Sequence, residues 1–305
     1  MDSPKKKGTP GRALLYLLLC AGVAGVGYSG YQIYSLQAEY AKGQSVYEEI
    51  RKEMAASQPA AELAPASGEP ASLETLASWP QTQAPQRPAA ASVSADSGGA
   101  VPVSVETGGA APGEPAQPIS QIDFRKLRDI NQDSVAWVTL EGTVMDYPVV
   151  QGRDNDFYLN HLFTGGSGKA GAIFMEASNT PDFQDRHTIL FGHHMRDGSM
   201  FATLDKYRDQ AFYDEHPTMT LYTPQGDYLV KWFAGRVISP RSFPIAFDSD
   251  DAFLEYVDSA VQASDFVSQV QASPEDRILT LCTCSYVFDD ARYALMGILQ
   301  GPLAQ

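Results

Sequence analysis

At 305 residues the chain is long enough for one large domain or two small ones with a buried core, which excludes a bare peptide or linker. Asp and Glu number 37 against 22 Lys and Arg, a formal charge of −15. That sign repels polyphosphate backbones, so nucleic acid is not an expected partner.

Residues 1–12 read as a basic cytoplasmic tail carrying Lys5, Lys6, Lys7 and Arg12, and no charged residue follows until Glu39. The apolar run 13–34 measures about 33 Å as a helix, enough for a hydrocarbon core of about 30 Å. Tyr28, Tyr31 and Tyr34 then fall near the outer interface, and the preceding positive charges orient the N-terminus inward. The expectation is a single-pass anchor in the cell membrane with everything after residue 34 extracellular. A cleaved signal peptide is the alternative, because residues 14–19 suit an apolar h-region and residues 22–24 are small. The bulky Leu19 ahead of Cys20 argues against a lipidated cysteine.

Residues 35–56 place Leu36, Tyr40, Tyr47 and Ile50 at helical spacing among charges, which predicts a short exposed juxtamembrane helix. Residues 57–118 are rich in Ala, Pro, Ser and Gly, with few aromatics and no periodicity. Such a stretch buries too little to offset its ordering entropy and is read as a disordered linker of about 40–45 Å end to end, spacing the working domain from the lipid.

The texture changes for the domain at 119–305. Phe124, Leu127 and Ile130 predict a helix, and strand-like runs follow at 135–140, 146–150, 171–175, 188–191, 218–222, 228–239, 277–282 and 293–299. Residues 223–227 form a hairpin signal between two of them. With strands outnumbering helices, the class is mainly β, a barrel or a sandwich. A helical stripe of Met200, Leu204 and Tyr207 follows Asp197 as N-cap, and Asp248 or Ser249 opens a longer helix bearing Phe253 and Val257.

Of the three cysteines only Cys282 and Cys284 fall in this domain, so no disulfide framework is available, and a bond between residues two apart on one strand is strained. Both could be small buried hydrophobes. Arg292, eight residues beyond Cys284 across a turn, can equally pair with a surface carboxylate or stabilise a thiolate and an oxyanion with its planar fork. His193 and His194 follow a buried-looking strand, at a position where side chains converge at a barrel mouth, and strand alternation lets at most one of them face the cysteine. His161, His187 and His216 read as solvated or core histidines. The Cys and His pairs do not match common zinc spacings, scattered carboxylates lack a calcium-loop pattern, and residues 165–169 lack a phosphate-loop spacing. No metal or cofactor is expected.

Taken together, Thr280-Leu281-Cys282-Thr283-Cys284, Arg292 downstream and Gly192-His193 upstream resemble a sortase. Tyr147-Pro148-Val149-Val150-Gln151, Asp154-Asn155, Phe157-Tyr158-Leu159, His193-His194-Met195 and the run from Asp197 to Phe201 resemble class B sortases in particular. The resemblance implies a closed eight-stranded β-barrel with peripheral helices. It implies Cys284 as nucleophile, His193 as general acid–base, Arg292 as oxyanion and substrate holder, and His194 as bystander. Cys282 departs from the serine that class B members often carry. The implied activity is a cysteine transpeptidase: it cleaves an Asn-Pro-x-Thr-like C-terminal sorting signal after Thr through a thioacyl intermediate and passes the surface protein to a peptidoglycan amine. The alternatives are a pilin-polymerising sortase with a subunit lysine as acceptor, a wall-associated cysteine peptidase, and an idle barrel that only binds.

Overall fold

The computed structural model describes residues 10–56, 120–238, 243–284 and 292–303, excluding the side chains of residues 10–17 and of Cys284. The first nine residues, the linker expected at 57–118 and the turn expected after Cys284 lie outside the described residues. The described residues belong to one compact unit.

Four α-helices and eight strands are described: α1 (Pro10–Ala55), α2 (Phe124–Ile130), β1 (Ser134–Thr139), β2 (Asp146–Val150), β3 (Ile173–Met175), β4 (His187–Gly192), α3 (Gln210–Glu215), β5 (Thr218–Thr223), β6 (Gly226–Ile238), α4 (Asp250–Gln262), β7 (Ile278–Cys284) and β8 (Arg292–Gln300). The strands close into a barrel in the order β1-β2-β3-β4-β7-β8-β6-β5. Closure removes the exposed strand edges that a sandwich would leave. Two neighbours are parallel, β2 with β3 and β4 with β7. The hairpin signal at 223–227 is the β5–β6 turn, closed by the pair Thr223↔Gly226.

Strand alternation sorts side chains between two cores. Leu279 and Leu281 of β7, Leu190 of β4, and Tyr293 and Leu295 of β8 join the large core. The opposite-parity residues Ile278, Ala294, Met296 and Ile298 pack under Phe253, Val257 and Ala260 of α4 in a second cluster on the outer wall. A register shift in β6 between Trp232 and Ala234 marks the change of side: Trp232 belongs to the first cluster, while Phe233 and Ala234 belong to the second. Ser249 caps α4 by accepting the Ala252 N–H at 3.1 Å, and Asp250 and Asp251 in its first turn complement the helix dipole.

Three expectations change. The stripe after Asp197 is a 3₁₀ segment, Phe201–Arg208, entered through Met200 at φ +56, and the Asp197 carboxylate closes a tight turn on Ser199 instead of capping a helix. Residues 35–55 continue α1 as a helix, but it is not exposed as expected: Tyr47, Ile50 and Met54 are buried against the barrel. Spacing of 47, 50 and 54 puts these three on one helical face, and burying Ile50 and Met54 contributes up to about 1.5–3 kcal/mol each. Finally, the membrane-spanning helix expected at 13–34 gains no support here: among the described residues no helix is long and apolar enough to cross a membrane.

Candidate active site

β4 and β7 run parallel with registered pairs from His187↔Ile278 to Gly192↔Thr283. His193 and Cys284 stand one residue past that last pair, so the two positions adjoin where the strands end. On the other side of β7, the antiparallel register with β8 ends at Cys284↔Arg292. Position 284 is therefore flanked by His193 on one neighbour and Arg292 on the other, and all three come from elements that the barrel, not the sequence, brings together.

A cleft of about 440 Å³ opens beside this point. Its floor is Ile189, Phe191 and Cys282, residues of the outer-wall parity, and both His193 and Arg292 line it. The site therefore lies on the outer wall of the barrel near the strand ends, and not at a barrel mouth as expected, because the barrel interior is filled by the large core. Phe174 and Leu159 extend the apolar lining, and Phe243 and Ile245 cover it from the segment between β6 and α4. Cys282 is fully buried, consistent with a small apolar floor residue.

His193 is oriented by a backbone group: its Nε2 lies 2.7 Å from the Leu159 carbonyl oxygen. A carbonyl only accepts, so Nε2 carries the proton and donates it. Leu159 ends the 3₁₀ turn Phe157–Leu159, which the Asp154 carboxylate starts by accepting the N–H groups of Asp156 and Phe157, both at 2.9 Å. Those bonds hold the Asp154 carboxyl below its ordinary pKa and keep it charged as an acceptor. The Asp154-Asn155 and Phe157-Tyr158-Leu159 motifs are thereby explained as one device that aims a carbonyl at the imidazole. Asn155 Nδ2 meets both carboxylate oxygens of Glu176 at 2.8 Å, placing an amide and a carboxylate on the polar side of the cleft.

The other histidines have different partners. His194 Nε2 sits 2.9 Å from Asp205 Oδ2, turned toward the 3₁₀ segment. His187 is fully buried: its Nδ1 donates to the Pro244 carbonyl and its Nε2 accepts from the Thr280 hydroxyl, both at 2.7 Å. Burial pushes its pKa down to about 4, with the Pro244 bond opposing weakly, so it is a neutral core residue that ties the 243–247 segment to the barrel. His161 stacks on Phe157, and His216 packs on Phe212.

Sequence reasoning did not single out the Leu159 carbonyl, Glu176, Phe243 or Ile245. A carbonyl has no sequence signature beyond the turn that holds it, and the other three line the cleft only after long-range closure.

A sortase-domain family model matches residues 138–299. Sortase B of Listeria monocytogenes is 38% identical over 183 residues, spanning 59% of this chain and 74% of that protein. Sortase B of Staphylococcus aureus is 34% identical over 169 residues, spanning 55% and 69%. The structure of the Staphylococcus aureus sortase B–substrate complex superposes with a TM-score of 0.56 at 32% identity, covering 58% of this chain and 84% of that one. A closed barrel with a cysteine strand between a histidine and an arginine, matched over this length, places the chain in the sortase family. Within that family it is most similar to class B, and membership makes it a cysteine transpeptidase that cleaves sorting signals.

Proposed function

We propose that the chain is a membrane-anchored transpeptidase that cuts an Asn-Pro-x-Thr-like C-terminal sorting signal after Thr, holds the acyl group on Cys284, and transfers it to a peptidoglycan amine outside the cell. The observation that carries the reading is the convergence of His193 and Arg292 on one cleft, either side of the backbone position of Cys284.

In this reading the Cys284 thiolate adds to the Thr carbonyl carbon, forming a C–S bond and a tetrahedral oxyanion. Arg292, whose planar guanidinium offers a two-pronged donor, holds that oxygen. Protonated His193 gives its proton to the departing amine as the C–N bond breaks, which leaves a thioester and a neutral imidazole. With Nε2–H engaged by Leu159, the proton is exchanged through Nδ1. An incoming amine then attacks the thioester, its proton passes to Nδ1, and the thiolate leaves. The products are a new amide and the starting enzyme, with no net change in protons. Apolar walls exclude water, so that the amine outcompetes hydrolysis.

Anchoring is supported by the uncharged run 13–34 within α1, preceded by four basic residues, which gives a single pass with the N-terminus inside. Membrane fractionation with protease protection of the tail tests it, and a fully soluble chain overturns it.

The activity is tested with a fluorogenic Asn-Pro-x-Thr peptide, with and without triglycine. Ligated product together with a thioester adduct on Cys284 by mass spectrometry is expected. Hydrolysis alone replaces the transferase with a peptidase, and inertness toward the peptide removes this signal as the substrate.

A further inference from the structure

We propose that Tyr47, on the helix α1 that precedes the linker, is a positioning residue for His193, acting through Gly171 and the Leu159 carbonyl; the role rests on His193 being the acid–base group of the reaction above. The Tyr47 hydroxyl donates to the Gly171 carbonyl at 2.6 Å and accepts the Phe163 N–H at 3.3 Å. Both bonds are buried and tie α1 to the segment between the turn at 157–159 and β3. Burial raises the phenol above its ordinary pKa, which keeps the hydroxyl protonated as a donor.

Gly171 is where these groups meet. It sits at φ +58, and a Cβ there would lie 2.7 Å from the carbonyl oxygens of both Tyr158 and Leu159 and 3.1 Å from Cδ2 of His193. The imidazole is thus held against the Gly171 backbone while its Nε2–H bonds the Leu159 oxygen. Fixing the Gly171 peptide plane from outside therefore fixes the wall against which the ring rests. A ring free to rotate loses the Leu159 bond, and with it the tautomer that leaves Nδ1 for proton exchange.

The same helix holds the chain on the far side of His193. Gln44 Nε2 bonds Asp197 Oδ2 at 3.0 Å. Arg51 lies over the Tyr147 ring at 5.6 Å, and the Tyr147 hydroxyl accepts the Met200 N–H at 3.1 Å. α1 thereby braces both flanks of the histidine without touching the cleft.

The test uses the full chain and two matched variants. Tyr47→Phe removes the buried hydroxyl next to His193 that bonds both the Gly171 carbonyl and the Phe163 N–H. Tyr207→Phe removes a tyrosine hydroxyl that donates to the His216 carbonyl at 2.8 Å, away from the cleft. With 15N-labelled histidine, wild type and Tyr207→Phe are expected to show His193 in the Nε2–H tautomer, and Tyr47→Phe a mixture of tautomers. Peptide kcat should fall about tenfold in Tyr47→Phe with KM unchanged, as loss of one orienting bond allows, and should hold in Tyr207→Phe. A Tyr47→Phe chain whose tautomer and kcat match Tyr207→Phe, with only a lowered melting temperature, overturns the proposal. A wild type inert toward sorting peptides refutes the activity instead, and the tautomer measurement still decides the role of Tyr47.

Discussion

Cys284 and Arg292 are register partners across β7 and β8, at the end where the two strands part. This register sets the backbone of the arginine beside that of the cysteine, so in the proposed reaction its distance from the substrate carbonyl is set by the sheet. Replacing Arg292 by Ala should lower kcat/KM for the sorting peptide by about 10²–10³, the usual effect of deleting an oxyanion donor, with an unchanged melting temperature. Lysine should recover little, since a single ammonium lacks the two-pronged geometry. Stopped-flow measurement of thioester formation checks this, and wild-type acylation in Arg292→Ala would remove the residue from the mechanism.

His187 gives the fold a pH dependence of definite sign. Its folded pKa of about 4 lies below the ordinary 6.5, so the unfolded chain binds the extra proton first. Its contribution is therefore complete above pH 6.5 and is lost progressively as pH falls toward 4, by about 3 kcal/mol. Urea midpoints at pH 7.5 and 5 should differ in that direction. His187→Gln should flatten the dependence, and an unchanged slope in that variant would assign it to other groups.

Gly171→Ala should damage stability and chemistry together. A left-handed φ of +58 costs a non-glycine residue about 1–2 kcal/mol, and the added methyl meets two carbonyl oxygens at 2.7 Å. Moving the Leu159 carbonyl releases the imidazole, so both the melting temperature and kcat are expected to fall. Retention of full activity would show that the Leu159–His193 bond is dispensable.

Docking of α1 is checked by Ile50→Ala. Ile50 is 3% exposed in the interface between α1 and the barrel, and its truncation should cost about 2–5 kcal/mol if helix and barrel unfold as one unit. A two-step denaturation curve, or no loss, would mean that the helix is not part of the cooperative structure.

The contrast between what sequence shows and what it hides is physical. Alternating runs such as β5, whose burial changes residue by residue, and the hairpin at 223–227 announce themselves locally, and so all eight strands were legible. The start of α4 was legible to within Asp248 or Ser249, because the capping bond, here accepted by Ser249 from the Ala252 N–H, reaches only three residues away. The 3₁₀ geometry of Phe201–Arg208 was not, since its stripe of Leu204 and Tyr207 fits an α-helix as well, and only tertiary packing decides. Tyr47 showed its helical spacing with Ile50, but nothing local says whether a stripe faces lipid, water or a barrel 120 residues away. The placement of His193 beside position 284 required knowing that β4 and β7 are neighbours, which the motifs imply only through family resemblance.

That neighbourhood also orders events during synthesis. β4 must wait for a partner some ninety residues downstream, because β5, β6 and α4 are made before β7 emerges. Until β7 and β8 are made, position 284 has neither His193 nor Arg292 as a neighbour. The site of the proposed reaction is therefore complete only once the last strand of the barrel has been made.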